Sequence, residues 1–232
     1  MGFQIRFLTL PDGYPATVKD QWSFFETANA AQQAGLIRAA EGGEGVRIEI
    51  RSISPSHALD PGRLLQTATT SGWRVAMGSG SSAIAADIYT MQGGDGGGAD
   101  PESQKLPRLA CMRKGPNIAA MMRAIAMIQK NDPPESFDLP GGSFVIGLLN
   151  SPELFTDALW LQPETGDSKD LWIVPYHTVI SNFPLMRAYR AADFCTYVRP
   201  IADKWKILEK PMLSVKRAKG SRQGSTGAPS PP

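Results

Sequence analysis

The run Arg113-Lys114-Gly115-Pro116-Asn117 joins a strand-like stretch, residues 106–112, to a helical one, IAAMMRAIAMIQK. A strand end that delivers two cations to a helix N-terminus forms an anion-binding corner, because the unpaired backbone N–H groups and the helix dipole point the same way. Arg113, Lys114, Gly115 and Asn117 are therefore the candidate anion-binding residues. A plainer use of the same residues is a solvated turn in which Gly115 and Pro116 start the helix.

A second stretch, WRVAMGSGSSAIAADIYTM, contains GSGSSA, which matches the G-x-G-x-x-G/A spacing of a dinucleotide cradle with Ala83 in the third position. Gly78 and Gly80 would let the backbone approach a pyrophosphate if a helix followed them. Three features oppose this reading. The expected acidic residue at the end of the next strand is missing, and the match lies well inside the chain. A glycine-rich loop, residues 93–104, also interrupts the unit where a tight connection is usual. Residues 82–91 fit a helix through Ile84, Ile88 and Met91, and equally a strand through Ile84, Ala86, Ile88 and Thr90. The expectation is a hairpin, with 73–77 turning through GSGSS into 84–90 and pairing onward with 106–112.

His57 and His177 are the two histidines, and Cys111 and Cys195 the two cysteines. A zinc site needs more ligands, and neither cysteine has C-x-x-C spacing, so no metal site and no cofactor are expected. Either histidine beside a serine or Cys195 would make the nucleophile–base pair of a hydrolase. No G-x-S-x-G elbow supports one, and no G-x-x-x-x-G-K-[ST] phosphate loop is present. Glu153, Asp157 and Glu164 are candidates for paired-carboxylate chemistry only as any carboxylate is. No catalytic residue is assigned.

The elements that must position these groups follow from periodicity. Residues 3–10 read as a first strand. Thr17 with Asp20 resembles a capping box opening a helix to about Gly42, with Val18, Trp22, Phe25 and Ala28 on its apolar stripe and Gly35 a point of interruption. Val46, Ile48 and Ile50 alternate with Arg47, Glu49 and Arg51, the pattern of a strand with one wet face. Asp60-Pro61 opens a short helix through Leu64 and Leu65. Ile118, Met121, Met122, Ile125 and Ile128 line one side of the helix after RKGPN. Residues 144–149 are apolar enough for a buried strand, and LFTDALWLQ and DLWIVPY flank QPETGDSK as a long antiparallel hairpin. Asn182 with Pro184 opens a last helix through Met186, Tyr189 and Ala192, leading into FCTYVRPIADKWKIL, part strand and part helix.

Apolar residues make up 42% of the 232 and charged residues 20%, the composition of an ordinary soluble domain. No apolar run is long enough for a membrane span, and the first residues do not form a secretory signal. Two distant cysteines read as reduced thiols of a cytoplasmic protein. The net charge of +2 hides an asymmetry: Lys216, Arg217, Lys219 and Arg222 lie in a terminal segment without acidic residues, which leaves 1–215 at −2. The hairpin and the RKGPN–helix unit before it are similar to segments of uncharacterised bacterial proteins over the C-terminal half. That resemblance implies bacterial origin and no particular activity.

The expected fold is α+β: a mostly antiparallel twisted sheet with three or four helices packed on one face. Residues 1–215 form a single domain and 216–232 a disordered basic tail. The expected function is that of a non-catalytic binding or assembly protein whose cationic tail reaches a protein partner or a polyanion. The alternatives are a small hydrolase or transferase with a loop-built site, or a nucleotide-binding protein using Gly78 and Gly80.

Overall fold

The computed structural model describes residues 3–21, 29–56, 60–90, 107–130, 139–165 and 170–220. The expected stripe residues Trp22, Phe25 and Ala28, the loop 93–104, His57 and residues 221–232 lie outside them. In chain order the elements are β1 (Phe3–Phe7), α1 (Tyr14–Asp20), α2 (Ala30–Ala40), β2 (Val46–Ser52), α3 (Leu64–Thr67), β3 (Thr69–Met77), β4 (Ile84–Thr90), β5 (Pro107–Lys114), α4 (Pro116–Gln129), β6 (Gly142–Ser151), β7 (Thr156–Pro163), β8 (Trp172–Thr178), β9 (Tyr189–Arg190) and α5 (Ala191–Gly220).

The strands form one mixed sheet in the order β5-β4-β3-β2-β6-β7-β8-β9. One edge of β6 is shared: its first half pairs in parallel with β1 and its end in parallel with β2. Every other pairing is antiparallel. The architecture is α+β with a mostly antiparallel sheet, as the hairpin signals imply.

Residues 84–90 are strand. Gly78 (φ 79°) and Gly80 (φ 52°) occupy the left-handed region that glycine favours, and a three-residue 3₁₀ turn, Gly80–Ser82, delivers the chain into β4. A side chain at Gly78 would meet the Ser82 carbonyl oxygen at 2.7 Å, so the turn needs glycine for space as well as for φ. No helix starts at Ser81, so the cradle geometry of a dinucleotide site is missing from this turn.

The helices are divided between the two faces rather than gathered on one. Ile118, Met121, Ile125 and Ile128 of α4 pack on Ile48, Ile50, Ile146, Leu148, Leu159 and Val174. On the opposite face Val18 and Leu36 of α1 and α2 cover Trp73, Val75, Ile84 and Ile88. Phe194, Cys195 and Val198 of α5, with Leu64 and Leu65 of α3, cover Trp160 and Ile173 on that same side. The cause is the central strands, which are apolar on both sides: Val75 and Ala76 point opposite ways, as do Leu159 and Trp160, and all four are buried.

Several local expectations are corrected. Helix α1 starts at Tyr14 behind Gly13 (φ 84°), and the Thr17 hydroxyl donates to the carbonyls of Gly13 and Pro107 instead of capping. The capping box is Asn29 with Gln32, opening α2. Gly35 does not interrupt α2 but sits buried within it, with the Met77 thioether filling the space its side chain would take. No helix runs from Asn182 to Ala192. Asn182 (φ 63°) and Met186 (φ 56°) are left-handed, Tyr189–Arg190 is a short strand, and α5 begins only at Ala191. That helix then takes in the whole of FCTYVRPIADKWKIL and passes through the expected domain boundary at 216 to Gly220.

Candidate functional site

On the α4 face, β3 and β4 each carry one charged residue within an apolar stretch. The hairpin register sets them opposite one another, Arg74 beside Asp87. Arg74 Nε lies 2.6 Å from Asp87 Oδ1 and Nη2 lies 2.8 Å from Oδ2, a two-point grip on a carboxylate that is fully buried. Arg74 Nη1 faces the Met121 sulfur of α4 at 3.7 Å.

Arg113, one strand over on β5, donates from Nε to the same Asp87 oxygen. Burial pushes the Asp87 carboxyl up, but its hydrogen bonds to Arg74 and the charges of both guanidiniums outweigh this and hold it below the usual carboxylate value. One carboxylate thus serves two cations. Arg74 and Asp87 cancel inside the sheet, and Arg113, whose side chain is 45% exposed, carries the surplus charge to the surface.

The Arg113 side chain opens on a cleft of about 290 Å³ between the start of α4 and the ends of β6, β7 and β8, lined also by Asn117, Ile118, Phe155, Asp157 and His177. Gly115 (φ 104°) turns the chain from β5 into α4. The Asn117 and Ile118 N–H groups belong to the first helical turn, where no intrahelical acceptor precedes them. On the far wall, Asp157 and His177 are cross-strand neighbours on β7 and β8, with His177 Nδ1 3.5 Å from Asp157 Oδ2. Burial holds the Asp157 carboxyl above its usual range, partly offset by Arg74 and His177. Buried Tyr176 forms part of the floor, its phenol pushed up by burial.

The hydroxyls lining the cleft are engaged in the fold. Ser151 Oγ donates to the Ile53 carbonyl, and Thr156 Oγ1 to that of Leu154. The Cys111 thiol lies 3.7 Å from Asp87 and is pushed up by burial and by that carboxylate, so it is a poor thiolate. Cys195 lies on the buried face of α5, and burial raises its thiol to about 11.

Of the four residues singled out in RKGPN, the cleft takes Arg113 and Asn117. Gly115 makes the turn and Lys114 does not line the cleft. Successive strand residues point to opposite faces, so Arg113 and Lys114 cannot serve one site together. Arg74, Asp87 and Tyr176 carried no motif. Their signal was a lone charge in each of two apolar strands of one hairpin. Among the described residues no group of three or more His, Cys, Asp or Glu is placed to hold a metal ion, and no helix is long and apolar enough to cross a membrane. No protein-family model, no curated protein and no solved structure matches this chain.

Proposed function

We propose that this chain is a non-catalytic binding protein that captures a small anionic ligand in the cleft at the start of α4. The observation that carries this reading is the sharing of Asp87: its charge is already offset by buried Arg74, so the Arg113 guanidinium reaches the cleft with charge that Asp87 does not cancel. The first-turn N–H groups of α4 add donors on the same side. Titration of the protein with small anions, followed by backbone amide shifts, should perturb residues 113–118 and 155–157. Arg113→Gln should abolish the response, and an unchanged response in that variant would remove the proposal.

A second reading, a small hydrolase or transferase, draws on the His177–Asp157 contact, which turns Nδ1 toward a carboxylate and leaves Nε2 for proton transfer. With Ser151 and Thr156 engaged, the attacking group would be water. Turnover of a substrate panel that His177→Gln abolishes would establish this reading in place of the first. Two free thiols support a reducing, cytoplasmic setting. The cations from Lys216 onward support a further contact with an acidic partner or polyanion.

A further inference from the structure

The lining of the cleft also includes two exposed apolar side chains, Phe155 and Val179. Phe155 is 50% exposed and Val179 64%, large values for such side chains. They come from two loops tied together by a hydrogen bond from the Val179 N–H to the Phe155 carbonyl, 3.2 Å. Phe155 is held there against its own backbone preference. Its φ of 51° and ψ of 36° are left-handed, its N–H donates to Pro152, and an aromatic residue in that region carries a conformational cost. The fold thus keeps a large apolar ring, half of it exposed, in a costly conformation at the edge of the cleft.

Charge narrows the ligand further. Asp157 lines the cleft as a carboxylate and Arg74 cancels Asp87, so Arg113 is the guanidinium left to face a ligand. A monoanion balances it. A phosphate dianion would place a second negative charge near Asp157. Arg113 meets Asp87 through Nε, which leaves the terminal nitrogens of its planar fork for a two-oxygen acceptor. The volume of about 290 Å³ is at the lower end for ligand pockets and suits a metabolite rather than a nucleotide.

Resting on the anion-binding reading, we infer that the ligand is a monocarboxylic acid with an aryl or branched-alkyl body. Arg113 and the start of α4 hold its carboxylate, and Phe155 and Val179 cover its apolar part.

The test uses the full chain and four probes followed by amide shifts: 3-phenylpropionate, acetate, phenyl phosphate and 3-phenylpropan-1-ol. The phenylpropionate should bind about tenfold or more tightly than acetate, the contribution expected from covering one ring face. It should also bind more tightly than the phosphate or the alcohol. Phe155→Gly relieves the left-handed strain, so the fold should be retained with an unchanged or higher melting temperature, while phenylpropionate affinity falls to that of acetate. Equal binding of acetate and phenylpropionate, both lost in Arg113→Gln, would overturn this inference and leave the anion site standing. Tighter binding of phenyl phosphate would also overturn it. Binding of none of the four, or binding indifferent to Arg113→Gln, would overturn both.

Discussion

Asp87 is the residue on which the α4 face depends. Replacing it with Asn leaves Arg74 buried beside a neutral amide, and breaking a buried pair from one side costs about 3–5 kcal/mol. Urea denaturation should show that loss for Asp87→Asn. The double variant Arg74→Met/Asp87→Leu should recover much of it, since an apolar pair of similar volume removes the stranded charge. The pH dependence has a definite sign. Asp87 has a folded pKa below its unfolded one, so its contribution is present above the ordinary carboxyl value and is lost as pH falls through the folded value. Asp157 is shifted the other way, and its charge opposes an anion in the cleft. A sulfonate probe, which stays ionised, should therefore bind more tightly as pH falls through the Asp157 value. Asp157→Asn should raise that affinity at neutral pH and remove the acid-side rise; an unaltered profile would place the anion elsewhere. The Arg74–Asp87 pair was within reach of the sequence, because a turn at Gly78–Gly80 that sets Met77 opposite Ile84 also sets residue 74 opposite 87. Each strand read alone shows only a single odd charge, and the pairing needs the register.

At the scale of elements, strand β6 shows how closely the sheet is packed. Gly147 faces Trp160 across the β6–β7 pair, and a side chain there would overlap the indole ring. Gly147→Ala should destabilise the protein by about 2–3 kcal/mol, the cost of forcing a large buried ring aside. Gly35→Ala in α2 meets only the flexible end of Met77 and gains helix propensity, so its net change in a chemical melt should stay within about 1 kcal/mol. The indole N–H of Trp160 has no hydrogen-bond partner among the described residues, and the Arg51 guanidinium lies over the ring at 4.9 Å. The hairpins were legible because glycine turns and alternating apolar residues are local signals. The region before α5 was not. Met186, Tyr189 and Ala192 have helical spacing, but left-handed Asn182 and Met186 turn the chain so that Phe183 and Tyr189 pack on Tyr197 of α5. That contact is tertiary and leaves no periodic trace.

The whole molecule is a sheet covered on both sides, and α5 joins it through Ala191, Phe194, Cys195, Val198 and Ala202. Deleting residues 216–232 should therefore leave the melting temperature unchanged. It should reduce heparin affinity and the steepness of its salt dependence if the terminal cations engage a polyanion; an affinity untouched by the deletion would leave those cations without that role. The antiparallel ladders could be anticipated from neighbouring segments. The two parallel pairings of β6 could not, because nothing near residues 142–151 indicates whether β1, β2 or both will lie beside it.

That shared edge also bears on the order in which the protein is made. Phe3 finds its place against Gly142 and Phe7 against Ile146, so β1 is translated well before the strand it pairs with. Until β6 emerges, residues 3–7 are an alternating ribbon, with Phe3, Ile5 and Phe7 apolar, that lacks its strand partner, during the interval when a growing chain is most exposed to aggregation and most in need of a chaperone.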